Sequence, residues 1–81
     1  MKYKVYVLSS LVTRKSYVGF TNDLDRRIKE HNSGKSFYTK AFTPWKLIYK
    51  EEVGSYIEAR SREKYLKSAS GRRLVLKKLF S

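Results

Sequence analysis

Two runs of strand-forming residues, "YKVYVLSS" and "SYVGF", are joined by only the five residues "LVTRK". A parallel pairing needs a crossover of about a dozen residues or more. The two runs are therefore expected to form an antiparallel hairpin, with a loop longer than a tight turn. The first run alternates, with Tyr3, Val5 and Val7 set against Lys4, Tyr6 and Leu8, as a strand does.

A helix is expected directly after the hairpin. Thr21 or Asn22 can cap it, and Asp23 and Asp25 place negative charge in its first turn, where the helix dipole favours it. Leu24, Arg27, Ile28 and His31 share one stripe by the i, i+3, i+4, i+7 rule. "NSGK" ends the helix, with Gly34 as the stop. "SFYTKAFTP" is a basic, aromatic connection with room for one more helical turn, and "WKLIYKEEV" is a third strand. Ser55 and Glu58 fit a capping box for a helix through "IEARSREKYLKS", whose inner stripe is Tyr56, Ala59, Glu63 and Leu66. "SGRRLVLKKLF" is a last helix, with Ser70 as its cap and Val75, Leu76, Leu79 and Phe80 as its apolar face. Trp45 is expected in the core or as the anchor of the third strand. The order β-β-α-(α)-β-α-α describes one α/β (α+β) domain over residues 1–81, too small for a doubly wound sheet.

A chain of 81 residues buries only about 60–65% of the surface it exposes when unfolded. Its core is thin, so an ionisable residue on a core-facing stripe needs a reason. Without cysteine, neither disulfides nor thiolate-bound zinc can brace the fold. Nineteen Lys and Arg against seven Asp and Glu leave a net charge of +12. Self-repulsion of that size opposes a compact state unless a polyanion neutralises it. Cations with seven tyrosines suit nucleic acid: charges for phosphates, rings for packing or stacking. A basic structural protein of the ribosome or nucleoid is a less favoured reading. No apolar run approaches the roughly 18–20 residues of a membrane span, and the N-terminal residues lack the apolar segment of a signal peptide. The expectation is a cytoplasmic or nucleoid-associated protein with no membrane partner.

Arg27 and His31 on one stripe and Glu63 on another admit two readings. In the structural one, Arg27 and Glu63 form a buried ion pair, or arginine stems lie along the surface with their heads in water. In the chemical one, the residues serve phosphodiester hydrolysis, which needs a cation for the phosphate, a carboxylate for a divalent metal and a base for water. Arginine's planar fork suits phosphate, one glutamate with several waters suits Mg²⁺, and histidine or a perturbed tyrosine suits the base. Phosphate-loop, dinucleotide-type glycine and His/Cys motifs are absent from the sequence.

"VYV" (Val5, Tyr6, Val7), "YVG" (Tyr17, Val18, Gly19), the helix "NDLDRRIKEH" and the late "REKYLK" together resemble the GIY-YIG nuclease domain. The likeness is greatest to its small stand-alone members, related to the nuclease half of the bacterial excinuclease C subunit. The resemblance spans essentially the whole chain. It implies a three-stranded antiparallel sheet flanked by helices, and one divalent metal ion, Mg²⁺ or Mn²⁺, held by Glu63. It implies that Tyr17 or Tyr6 activates water, alone or through His31, while Arg27 holds the scissile phosphate, so that Tyr6, Tyr17, Arg27, His31 and Glu63 form the catalytic set. Gly19 has a structural part, for close approach or a bulge.

Arg27, Lys35, Lys40, Arg72, Arg73, Lys77 and Lys78 are the expected nucleic-acid-binding cations. The implied function is a metal-dependent DNA endonuclease acting in repair or on branched or damaged DNA. RNA is a second substrate class, a protein partner would supply specificity, and the expected state is a monomer or weak dimer. The first motif keeps only the tyrosine of its glycine–isoleucine–tyrosine triplet. Phe20 stands where some members carry lysine, and Val75 near the place where many carry asparagine. These departures support the alternative, a non-catalytic or weakly catalytic nucleic-acid-binding module of the same fold.

Overall fold

The computed structural model describes residues 2–35 and 39–80, and of Leu76, Lys78, Leu79 and Phe80 it describes the backbone alone. The expected binding role of Lys78, the apolar-face roles of Leu76, Leu79 and Phe80, and the "SFY" part of the connection lie outside the described residues.

Strand β1 (Tyr3–Ser10) and strand β2 (Ser16–Thr21) are followed by helix α1 (Leu24–Asn32). A single 3₁₀ turn (Lys40–Phe42) leads to strand β3 (Trp45–Val53), helix α2 (Tyr56–Lys67) and helix α3 (Ala69–Phe80). The sheet is antiparallel throughout, in the order β2-β1-β3. This is the expected α+β fold, with β1 at its centre.

The central strand departs from the half-polar pattern read in its sequence. Val5, Tyr6, Val7 and Leu8 are all buried, because helices cover both faces of the sheet. Val5 and Val7 pack with Val18, Ala59, Leu66 and Val75 on the α2/α3 side. Tyr6 and Leu8 pack with Leu24 and Trp45 on the α1 side. The β1–β3 register shifts from Val7↔Tyr49 to Leu8↔Leu47, leaving Ile48 as the extra residue of a bulge. Ile48 and Tyr49 can thereby both join the α2/α3 core while Leu47 joins the other.

Two caps differ from the sequence reading. Asp23, not Thr21 or Asn22, caps α1, accepting from the Arg26 amide at 3.2 Å, and the Thr21 hydroxyl accepts from the Asp23 amide. Asp has the short acceptor an N-cap needs, and Thr21 is taken up by the end of β2. Ser55 caps α2 as expected. At α3 the Ser68 hydroxyl, not Ser70, accepts from the Gly71 amide, because the helix starts earlier, with no linker after α2. A side chain at Gly71 would put its Cβ 2.0 Å from the Tyr65 carbonyl oxygen and 2.5 Å from Leu66 Cα. The α2–α3 corner therefore closes backbone against backbone. Gly34, at φ 83°, follows α1 in the left-handed conformation glycine favours.

Candidate active site

The hairpin register places Tyr6 opposite Gly19 and Leu8 opposite Tyr17, so the side chains of Tyr6 and Tyr17 share one face of the sheet. Their ring centroids lie 6.2 Å apart. Both rings lean over Gly19, where a Cβ would stand 2.8 Å from the Tyr6 oxygen and 2.9 Å from a Tyr17 ring carbon. Gly19 thus makes space for two side chains, a sharper reason than a bulge or close backbone approach.

Helix α1 brings His31 down onto the tyrosines. The Tyr17 and His31 rings are 4.7 Å apart, and Tyr6 Oη lies 2.9 Å from His31 Nε2. The next residue fixes this placement. Asn32 Oδ1 accepts from the Trp45 amide at 2.6 Å, and Asn32 Nδ2 donates to the Trp45 carbonyl at 3.2 Å. A side-chain amide thus extends the start of β3 and ties the end of α1 to the sheet. The other imidazole nitrogen, Nδ1, lies 2.8 Å from Thr39 Oγ1. His31 and Thr39 are both 0% exposed, and the Thr39 carbonyl accepts from Trp45 Nε1 at 2.8 Å. The result is a buried chain from Tyr6 through His31 to Thr39.

Electrostatics keep this chain neutral. Burial, helped by the positive charge of Arg27 and partly offset by Glu30, pushes the His31 pKa down to about 4. Burial first, and then the neighbouring Tyr17, raises the Tyr6 pKa above the ordinary tyrosine value, while Arg27 opposes the rise by charge and hydrogen bonding. At neutral pH Tyr6 keeps its proton and His31 has none to spare beyond one ring N–H. The bonding is complete when Tyr6 O–H donates to Nε2 and Nδ1–H donates to Thr39 Oγ1.

Arg27 is half-buried, and its partner is Glu30 at 3.1 Å, one turn along α1, rather than Glu63. The buried Arg27–Glu63 pair considered from the sequence is not formed. Glu63 lies on α2, mostly buried, with Lys67 Nζ at 3.7 Å. Its charge adds the smallest of the contributions that raise the Tyr6 pKa, and its partner Lys67 lines a cleft of about 390 Å³ together with Ser16, Tyr17, Val18 and Arg72. The structure therefore brings Tyr6, Tyr17, Arg27 and His31 together, with Glu63 within electrostatic reach of Tyr6. Lys35 and Lys40 sit around the connection after α1, Arg73 and Lys77 are exposed on α3, and of the other expected binding cations Arg72 lines the cleft.

A lone carboxylate is a sufficient protein ligand for Mg²⁺, which keeps several waters and takes one or two carboxylates. Glu63 fits that requirement as a hard oxygen donor whose present neighbour is an exchangeable lysine. Among the described residues no group of three or more His, Asp or Glu side chains gathers at one place.

Sequence reasoning missed Thr39, Asn32 and Lys67. Thr39 carries no periodic signal, because it stands in an irregular connection placed only by tertiary contacts. An asparagine at the last turn of a helix, with free amide donors and acceptors, was the available hint for Asn32. Lys67, four residues after Glu63, was legible as an i, i+4 pair.

A family model described as the GIY-YIG catalytic domain matches residues 2–77. A UPF0213 protein of Clostridium perfringens is 48% identical over 52 residues, 63% of this chain and 56% of the relative. The UPF0213 protein YazA of Bacillus subtilis is 41% identical over 61 residues, 74% of this chain and 62% of the relative. The match thus spans less than two thirds of the length of these curated relatives. Among solved structures, the solution NMR structure of a UPF0213 protein from Bacillus halodurans superposes with a TM-score of 0.57 and 34% identity, covering 95% of this chain and 84% of that one.

Proposed function

The chain belongs to the GIY-YIG catalytic domain family, a family of nucleases, and from that premise we propose that it is a metal-dependent endonuclease hydrolysing phosphodiester bonds in DNA. One observation carries this reading beyond family membership. Tyr6, Tyr17, His31 and Arg27 meet on one sheet face with a 2.9 Å hydrogen bond from Tyr6 to His31, and Glu63 lies within electrostatic reach.

Arg27 takes the scissile phosphate, offering a planar donor fork matched to two phosphate oxygens. Water beside the phosphate gives its proton to the Tyr6 oxygen as Tyr6 passes its own to His31 Nε2. The phosphate's negative charge cancels part of the Arg27 field that, second to burial, lowers the His31 pKa. Substrate thereby makes the acceptor more basic when it is needed. Tyr17 packs against His31 and holds the reacting face of Tyr6. Glu63 would hold the divalent ion, Mg²⁺ or Mn²⁺, which when bound supplies charge stabilisation at the phosphate. Specificity follows from the shape of the DNA or is supplied by a partner.

Supercoiled plasmid incubated with the protein tests the proposal. Nicking is expected with Mg²⁺ or Mn²⁺, none with chelator, and a loss of at least about 100-fold in Glu63→Gln with binding retained. Salt-sensitive binding with no nicking under any metal would replace it by the binding module. One observation favours that second reading: Phe20, where some members carry lysine, packs at 5.3 Å against Tyr56 in an aromatic cluster and offers no cation.

A further inference from the structure

We propose that Arg14 and Arg72 form a second phosphate site, which holds the substrate strand outside the candidate active site. The proposal rests on the nucleic-acid reading above for its substrate class and adds a defined place on the protein. The cleft that begins at Tyr17 does not stop there. It runs past Ser16 and Val18 to Arg72 and continues into a recess of about 250 Å³ that adds Ser9 and Arg14. Val7, Leu66 and Val75 floor that recess.

The charges along this path are one-sided. Lys67, Arg72 and Arg14 line it, and no carboxylate does. Arg14 comes from the β1–β2 connection and Arg72 from α3, so the two guanidinium groups approach from separate elements. Neither makes an ion pair among the described residues. Three of the seven acids are engaged elsewhere, Glu30, Glu51 and Glu52 each with another cation, and Glu63 pairs with Lys67 rather than with either arginine. Two unneutralised arginines over an apolar floor repel one another and concentrate positive potential, a favourable place for an anion with several oxygens. The Ser9 and Ser16 hydroxyls offer further donors. Arg72 follows Gly71, which clamps the α2–α3 corner, so its backbone is held firmly while its side chain stays open. Tyr17 lines the same cleft, so the path borders the candidate active site at that tyrosine.

Binding measured in chelator tests the site without cleavage. A short fluorescent DNA duplex is titrated over a salt series with wild type, Arg14→Gln, Arg72→Gln and a control, Lys50→Gln, on the opposite edge strand. Loss of one phosphate contact lowers the slope of log affinity against log salt by about 0.9, equivalent to about fivefold at about 0.15 M. Each arginine variant should show that loss, and the control less than half of it. Oligonucleotides with one neutral methylphosphonate, walked along the strand, then separate a discrete site from the general field of a basic surface. One position should weaken wild type about fivefold and leave Arg72→Gln unchanged. If both arginine variants match Lys50→Gln, or no position distinguishes Arg72→Gln from wild type, the site is refuted. Plasmid nicking reads the nuclease proposal separately: binding with this signature but no nicking removes catalysis and leaves the site standing.

Discussion

His31 sits in a pocket that disfavours its charged form, and this sets a pH dependence. Its folded pKa, about 4, lies below the ordinary value of about 6.5. Between these values the unfolded chain binds a proton that the folded chain refuses, so the stabilisation is complete above about pH 6.5 and is lost as pH falls toward 4. The loss is on the order of 3 kcal/mol. Urea unfolding across this range should show it, and His31→Gln should flatten the curve there; an unchanged curve would mean that His31 is not buried neutral. The candidates themselves were legible in the sequence. Tyr6, Tyr17, Arg27, His31 and Glu63 stood out because the motif spacing marked them and because ionisable groups on core-facing stripes demand a partner. The partners themselves were not readable. Arg27 chose Glu30 over Glu63 because one helical turn brings them to 3.1 Å, whereas the sequence carries no distance between α1 and α2. Thr39 depends on where an irregular connection comes to rest.

Elements were more legible than their ends. All three strands, the order of the helices and the Ser55 cap follow from pattern and propensity, since period and capping chemistry are local. The caps of α1 and α3 moved by one or two residues because Thr21 serves the end of β2 and α3 begins without a break from α2. Gly71 shows how far an element boundary can matter. Its replacement by alanine places a methyl group within 2.0 Å of backbone on α2, where no flexible side chain can give way. Gly71→Ala should destabilise by about 3 kcal/mol, a fall in Tm on the order of 10–20 °C, seen by calorimetry. A fall below about 3 °C would show that the helices can part there at little expense. The double-sided burial of β1 was hidden for a related reason. Tyrosine at position 6 reads as polar or apolar with equal ease, and only a helix laid on that face decides.

At the scale of the whole molecule, a +12 charge is carried on a body with principal extents of 30 × 29 × 18 Å. Repulsion extends across the whole domain at 0.01 M salt, where the Debye length is about 30 Å, and is confined to neighbouring charges at 1 M, where it is about 3 Å. Sodium chloride should therefore raise Tm by several degrees between low and high salt, and DNA should do the same at far lower concentration. A domain held mainly by its surface ion pairs would lose Tm in salt instead. The sequence announced this balance at once, since net charge needs no fold. It could not announce how the two cores divide the labour. Val5 and Val7 face the α2/α3 core, while Tyr6 and Leu8 face the core next to the candidate chemistry. A mutational scan of β1 that scores cellular abundance and DNA cleavage side by side should therefore alternate. Polar substitutions at Val5 and Val7 should empty the cell of protein, whereas Tyr6→Phe should leave the protein abundant and silent. Adjacent codons of one strand would thus answer to different selective pressures, and genetic drift at one would be blind to the other.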